Sequence, residues 1–578
     1  AMNLSVLDGS NGFRLDGEAA YDNLGRSVSS AGDVNGDSFD DVIVGAPSAD
    51  SNGNSSGSSY VVFGRAFGFD AAMNLSALDG SNGFRLDGEA AYDDSGRSVS
   101  SAGDVNGDGF DDVIVGARGA NGNSSGSSYV VFGRASGFDA AMNLSVLDGS
   151  NGFRLDGEPS DYSGRSVSSA GDVNGDGFDD VIVGAPFSDS NGNDSGSSYV
   201  VFGKASGFDA TMNLSSLDGS NGFRLNGGAK YDRSGHSVSS AGDVNGDGFD
   251  DVIVGADRVD PFGSNSSSNY VVFGKASGFD ATMNLSALDG SNGFRLISDA
   301  SGWSVSGAGD VNGDGFDDVI VGTPGYDNFA YIVFGRASGF DAVMNLSGLG
   351  GSSGFRLKGG SNYAPSVSSA GDVNGDGFDD VIVGKYNANP NGDDSGSSYI
   401  VFGRSDFTGS GVDFFGTSGD DIFTGTKAAE SFEGGDGNDR MIGRGGADSF
   451  DGGAGNDYIR ILGDDFLFVD GGSGTDTLGL SGSGYNLDLS NVIDNIHGIE
   501  TIALYGTGDN MLTLTAQDVI DLSGETNTLK VKGNTGDSVV GLSSGWADGG
   551  VHGNFHTYTQ GEAVLLIGVD VTTDFPVI

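Results

Sequence analysis

The chain has 578 residues, with 81 acidic against 27 basic side chains, a net charge of −54, 106 glycines, 8 prolines and no cysteine. This balance excludes a nucleic-acid surface, which needs Lys and Arg to neutralise phosphates, and it opposes any hold on anionic membranes. Missing cysteines exclude disulfides and thiolate metal sites, and no apolar run reaches the roughly 18 residues of a transmembrane helix.

Charge this high works against a compact state unless cations or salt offset it. The chain opens AMNLS, in register with its own repeat and without a secretory leader, as a fragment of a longer protein would.

Internal repetition organises the first 404 residues. MNLS recurs at Met2, Met73, Met142, Met212, Met283 and Met344. Each unit carries four short segments, GFRL, SVSSAG, DDVIVG and SYVVFG, rich in β-formers and bounded by Gly, Asp, Asn and Ser turns. Four strands per repeated unit point to an all-β fold, a β-propeller. GFRL, SVS, DVIVG and VFG each occur six times, so six blades are expected, with seven as the alternative. The first GFRL, near Phe13, is left over at the start and the last blade lacks a fourth strand. Pairing the two would close the ring and remove unpaired edges.

AGDVNGDGFDDVIVG is written five times unchanged and once, from Ala31, with a single substitution. In that copy, side-chain oxygens fall at alternate positions, Asp33, Asn35 and Asp37, then at Asp41, and Phe39 can offer its carbonyl. Calcium takes six to eight hard oxygen ligands of this mixed kind, and Gly36 relieves the turn. An EF-hand is excluded because Val44 stands where its closing Glu belongs and strands flank the loop. A solvated acidic turn that binds nothing would leave four carboxylates within nine residues repelling one another.

With VVFG leading into DVNGDGFDDVIVGAP, the segment 1–404 resembles the FG-GAP repeat propeller of integrin α subunits. The resemblance implies calcium between the first two strands of a blade, held by Asp33, Asn35, Asp37, Phe39 and Asp41. It implies the same for Asp104, Asn106, Asp108, Phe110 and Asp112, for Asp172, Asn174, Asp176, Phe178 and Asp180, and for Asp243, Asn245, Asp247, Phe249 and Asp251. Asp310, Asn312, Asp314, Phe316 and Asp318 form the fifth set, and Asp372, Asn374, Asp376, Phe378 and Asp380 the sixth. Unlike the family, every blade here carries the motif, and GAP changes to GAR, GAD, GTP and GKY in four copies.

A linker, 405–415, leads to a nine-residue period from Gly416 to Arg460, with a further copy from Gly471. It resembles the RTX nonapeptide, which implies a parallel β-roll over 416–479. Residues 18 apart should stack, with Asp421, Asp439 and Asp457 as calcium ligands on one side and Asp448 on the other. Glu430 replaces an expected Asp, and Phe423, Phe432, Met441, Phe450 and Ile459 should form the core. A flexible Gly-rich linker would not keep that apolar position. Residues 480–578 read as a β-rich region with one short helix at TAQDVIDLS, and the end VDVTTDFPVI is similar to a type I secretion signal.

No catalytic constellation is present. The four histidines, His236, His497, His552 and His556, are scattered, and neither a nucleophile elbow nor a phosphate loop occurs. The expectation is therefore a non-enzyme, a monomeric calcium-binding adhesion protein, secreted or surface-attached, of a Gram-negative bacterium. A sugar-binding propeller and the non-catalytic portion of a larger secreted enzyme are the alternatives. In the family resemblance the ligand face lies opposite the calcium loops. There the residue before SVS varies, as Arg26, Arg97, Arg165, His236, Trp303 and Pro365, with Tyr21, Tyr92, Tyr162, Tyr231 and Tyr363 nearby. This suits an anionic, glycan or protein partner, unless these side chains merely pack locally or pair with acids.

Overall fold

The computed structural model describes the chain apart from residues 1–6, 10, 258–266, 299–303, 324–328, 347–348, 350–352, 359–365, 386–396, 406–413, 417–418, 428–429, 464–465, 507, 524–525 and 577–578. Backbone contacts divide it into two compact units, Ala1–Leu349 with Arg356–Ser405, and Gly350–Phe355 with Asp406–Ile578.

The first unit is built from one repeated sheet. Its opening elements are β1 (Arg14–Asp16), β2 (Ser27–Gly32), β3 (Asp41–Ala46), β4 (Ser58–Val62), β5 (Ala72–Asn74) and β6 (Gly83–Asp87). β2, β3, β4 and β6 pair antiparallel in that order, with Val44 opposite Val28 and Tyr60, and Tyr60 opposite Arg85. Val and Ile stiffen the central strands, where both faces are covered. The next four repeats rebuild the same four-strand order, and Ser366–Gly371, Asp380–Lys385 and Ser397–Val401 form a three-stranded last blade. Six blades are present, as the repeat count requires.

Two features of this unit differ from the sequence expectation. From Met73 onward, each Met-Asn pair lies in a short strand of its own. β5 runs parallel to β1 with Met73 opposite Leu15, and Ala141–Asn143 repeats this against β6. Three residues carry too little periodicity to announce a strand. The expected ring closure is also not formed. Among the described residues β1 pairs with β5 alone and Ser397–Val401 with Asp380–Lys385 alone. Because its register to β5 is the one each later outer strand keeps, β1 sits as the fourth strand of a blade preceding blade one.

The second unit carries two parallel sheets whose strands alternate along the chain. One runs from Phe414–Phe415 through Ser431–Glu433, Ser449–Asp451 and Phe468–Asp470 to Ile496–His497. The other begins at Ile422–Thr424, Arg440–Ile442, Tyr458–Ile461 and Thr477–Leu480 and continues without a break to Ala563–Gly568. Phe423, Met441 and Ile459 stack in register at 18-residue steps, as do Phe432 and Phe450. The roll therefore starts within the expected linker, at Phe414, and its core extends past residue 480 through Leu487, Ile502, Leu529 and Leu565. TAQDVIDLS does form a helix, Ala516–Leu522, capped by a reciprocal Thr515–Asp518 box.

Candidate calcium sites and ligand face

In each blade the acidic loop joins the first two strands. The carboxylate of Asp33 turns inward and accepts the Asp37 and Ser38 N–H groups at 3.0 and 2.8 Å, and Asp37 accepts the Phe39 N–H at 3.0 Å. Asp41 is buried. One of its oxygens accepts the Val34 N–H at 3.1 Å and the other the N–H of Gly64, just past strand β4, at 2.7 Å. Asp112, Asp180, Asp251, Asp318 and Asp380 repeat this tie between the loop and the glycine just past the third strand.

Burial pushes Asp112 up to about 8, with Asp108 and Asp104 adding to the rise and the Gly133 N–H opposing it. Asp180, Asp251 and Asp318 are pushed to the same value, and Asp41 to about 7, burial again leading. Among the described residues no three His, Asp or Glu side chains are already gathered as a metal site. The carboxylates satisfy backbone N–H groups instead. Each carboxylate oxygen keeps a second lone pair, so the donor set of three carboxylates, an amide and a carbonyl remains of the kind calcium takes.

In the roll, Asp439 Oδ1 accepts the Asp421 N–H at 2.8 Å, Asp457 Oδ1 that of Asp439 at 2.7 Å, and Asp476 Oδ1 that of Asp457 at 2.7 Å. The other oxygens, Oδ2 of Asp439, Asp457 and Asp476, are buried with no hydrogen-bond partner. An orphaned buried carboxylate oxygen is costly unless a cation answers it. Around them a Cβ on Gly452 would strike the Gly471 carbonyl and Asp457 Oδ2, and one on Gly434 the Gly452 carbonyl and Asp439 Oδ2. Glycine thus lets a carbonyl and a carboxylate oxygen converge, and the residues fit calcium. Asp448 makes the matching bond to the Glu430 N–H on the other side, at 3.0 Å. The carboxylate of Glu430 folds back onto the Thr426 N–H at 2.7 Å, which explains a longer acid at that position. Asp476 was missed in the sequence reading, although the nonapeptide from Gly471 places it.

On the opposite side the loops after β3 and β6 meet, with the Tyr92 N–H donating to the Asn54 carbonyl at 2.8 Å. Arg26, Arg97 and Arg165 come within mutual electrostatic range. Burial, then Arg118, Arg165 and Arg26, lower Arg97 to about 10. Arg165 is lowered by burial, then by Arg118 and Arg26, and donates to His236 Nε2 at 3.1 Å. Two further cations the sequence reading overlooked join them, Arg118 bonded to Asp94 at 2.9 Å and Arg233 at 3.7 Å from Asp194. Arg26 and Arg97 line a cleft of about 500 Å³ with Asn23, Ser48 and Asp94. Trp303, Pro365 and Tyr363 lie outside the described residues.

Tyr21, Tyr92 and Tyr231 share one exposed, left-handed position, with φ of 72, 69 and 71°. Tyr162 does not. The third blade's loop is one residue shorter, so Ser160, at φ 74°, takes the tyrosine position, and Tyr162 takes that of Asp94 and packs 5.2 Å from Phe187. His556 bonds Asp548 at 2.6 Å on a hairpin whose tip holds the exposed His552.

The FG-GAP repeat family matches residues 24–62, 95–131, 163–201, 234–273, 301–337 and 364–401, and the RTX calcium-binding nonapeptide repeat matches 424–459. The chain is 31% identical over 245 residues to integrin alpha-V of Gallus gallus, covering 41% of this chain and 21% of that protein. It is 31% identical over 247 residues to integrin alpha pat-2 of Caenorhabditis elegans and 28% over 246 to integrin alpha-8 of Mus musculus, covering 41% of this chain in each case and 18% and 20% of those proteins. It thus spans about a fifth of these relatives. The chain carries a propeller of six FG-GAP repeats within residues 24–401, similar to that of integrin α subunits, and an RTX calcium-binding nonapeptide repeat follows it.

Proposed function

We propose that the chain is a non-catalytic, calcium-stabilised adhesion module working outside the cell, and that its cationic loop face takes an anionic group on a glycan or protein. Secretion by a type I route from a Gram-negative bacterium fits the nonapeptides and the acidic, apolar terminus. Calcium would be held in the blades by the Asp33, Asn35, Asp37, Phe39 and Asp41 set and its five equivalents, and in the roll by Asp421, Asp439, Asp448, Asp457 and Asp476.

One observation carries the ligand reading. Arg97 and Arg165 are both lowered, by burial and then by neighbouring guanidinium groups that include Arg118 and Arg26, in a protein with a net charge of −54, and none of Arg26, Arg97 and Arg165 has a carboxylate within ion-pair distance among the described residues. A guanidinium cluster of one sign in which Arg97 and Arg165 are half-buried and Arg26 is exposed is costly by itself and is relieved by a bidentate oxyanion. A glycan array in calcium, probed with the native chain and with Arg97→Ala/Arg165→Ala, tests this. Binding to sulfated or carboxylated glycans should appear and fall at least tenfold in the variant. Equal binding to neutral glycans, or an indifferent variant, rejects the anionic ligand.

A further inference from the structure

Blades one, two and three each hold an arginine on the fourth strand, beside the loop that enters that blade. Arg85 is clamped between Glu18 at 3.0 Å and Asp87 at 2.8 Å, and Arg154 between Glu89 at 3.1 Å and Asp156 at 2.9 Å. Arg224 holds the same place in blade three, on Gly222–Asn226, but Asn226 stands where the other two blades have aspartate. Among the described residues neither Arg224 nor Glu158, the counterpart of Glu18 and Glu89, has an ion-pair partner, and Arg224 Nε is buried without a hydrogen-bond partner.

The acid behind this arginine has also lost a partner. Asp22, Asp93 and Asp232 each accept a backbone N–H from the alanine three residues earlier, Ala19, Ala90 and Ala229, at 3.1, 2.8 and 2.6 Å. In the shortened loop entering blade three, Pro159 takes the alanine's place and has no N–H to give. Asp161, the matching acid, is only 6% exposed. Among the described residues its carboxylate has one hydrogen bond, the long one of 3.5 Å from the Tyr199 hydroxyl.

Glu158, Asp161 and Arg224 line one cleft of about 420 Å³, together with Phe187, Asp189 and Ser190. A half-buried guanidinium and a buried carboxylate thus share one space, each short of the partners its counterparts keep. Polar groups held from water without full hydrogen bonding are costly. A cation alone would answer the acids and repel Arg224, and an anion alone would do the reverse. A ligand that carries both signs a few bonds apart answers both.

We propose that this cleft binds a free α-amino acid, with its carboxylate on the Arg224 guanidinium and its ammonium between Asp161 and Glu158. The guanidinium fork matches a carboxylate in two parallel hydrogen bonds. The ammonium brings three donors, which replace the N–H that Pro159 cannot supply. The half-buried Phe187 ring gives the ligand's side chain an apolar wall, and the volume is that of an ordinary small-molecule pocket. Neither Arg26, Arg97 nor Arg165 takes part, so the site is independent of the oxyanion those residues would hold.

Calorimetric titration of the full chain in calcium with L-serine, L-leucine and L-phenylalanine tests this. At least one should bind saturably, and its methyl ester and its N-acetyl form, each missing one charge, should bind at least tenfold more weakly. Arg224→Gln and Asp161→Asn should each lower the affinity at least tenfold. Asn226→Asp restores the clamp that Arg85 and Arg154 have, so it should abolish binding while the propeller still melts cooperatively. No saturable binding of any of the three, or full affinity in Asn226→Asp, overturns the proposal. Equal binding of the parent and its methyl ester also overturns it, as does tighter binding of methyl α-glucoside, which would make the cleft a sugar subsite.

Discussion

Carboxylates of one residue type do different work here because their surroundings differ. Asp161, in the loop between the second and third blades, is pushed up to about 7, by burial first and then by Glu158, while the Tyr199 hydroxyl 3.5 Å away opposes the rise. Its folded value lies above the unfolded 3.8, so the folded chain holds a proton that the unfolded chain has released, and stability falls as pH rises from about 4 to 7. Asp161→Asn keeps an acceptor for Tyr199 and removes the titration. The variant should melt above the native chain at pH 8, with the difference vanishing near pH 4; parallel melting curves at both values check this. Asp457 has the opposite part, since its Oδ2 is buried without a partner. Asp457→Asn should weaken calcium binding to the roll roughly tenfold, about 1.4 kcal/mol, read by calorimetric titration of the full chain. Titration curves that superimpose would remove Asp457 from the ligand set.

At the scale of the element, spacing decided what could be read. DVNGDGFDD followed by DVIVG announces a turn and a buried strand because Gly, Asp and Asn give way abruptly to β-branched residues. The eighth residue of each nonapeptide is apolar without exception from Phe423 to Ile459, and that regularity located the roll's core. Met441, fully buried between Phe423 and Ile459, makes the point measurable. Met441→Ala should cost the second unit about 2–5 kcal/mol, seen as a lower chelator-sensitive transition. The MNL strands were hidden because three residues show no alternation, and Tyr162 was misplaced because one deleted residue shifts a loop without disturbing its motif. Arg118 and Arg233 escaped notice because they sit in loops where the repeats disagree, and only the fold brings them beside Arg97 and Arg165.

For the whole molecule, the repeat count was legible but the ring was not, since Asp40 and Asp111 look alike in sequence and differ only in whether a neighbour is present. Under the proposed function, the same repetition would make calcium a property of the whole propeller. Burial keeps Asp112, Asp180, Asp251 and Asp318 near 8, so without a cation each of these loops either retains a proton at neutral pH or buries a charge answered by backbone N–H groups alone. A site held at tens of times its dissociation constant contributes roughly 2 kcal/mol. Six such loops would contribute about 10, comparable to the whole stability of an ordinary domain. Extracellular modules of this kind bind at ~0.1–1 mM, so millimolar calcium should load them and a chelator should empty them. EDTA should therefore lower the propeller's transition by well over 10 °C and render its loops protease-sensitive, with recovery on adding calcium but not magnesium, whose smaller octahedral shell these wide loops do not match. The roll's transition should fall in parallel but independently, so Asp457→Asn would alter the second transition and leave the first where it was. A propeller transition indifferent to EDTA would mean that the acidic loops are held by their own backbone hydrogen bonds, such as Ser38 and Asp37 to Asp33, and that calcium belongs to the roll alone.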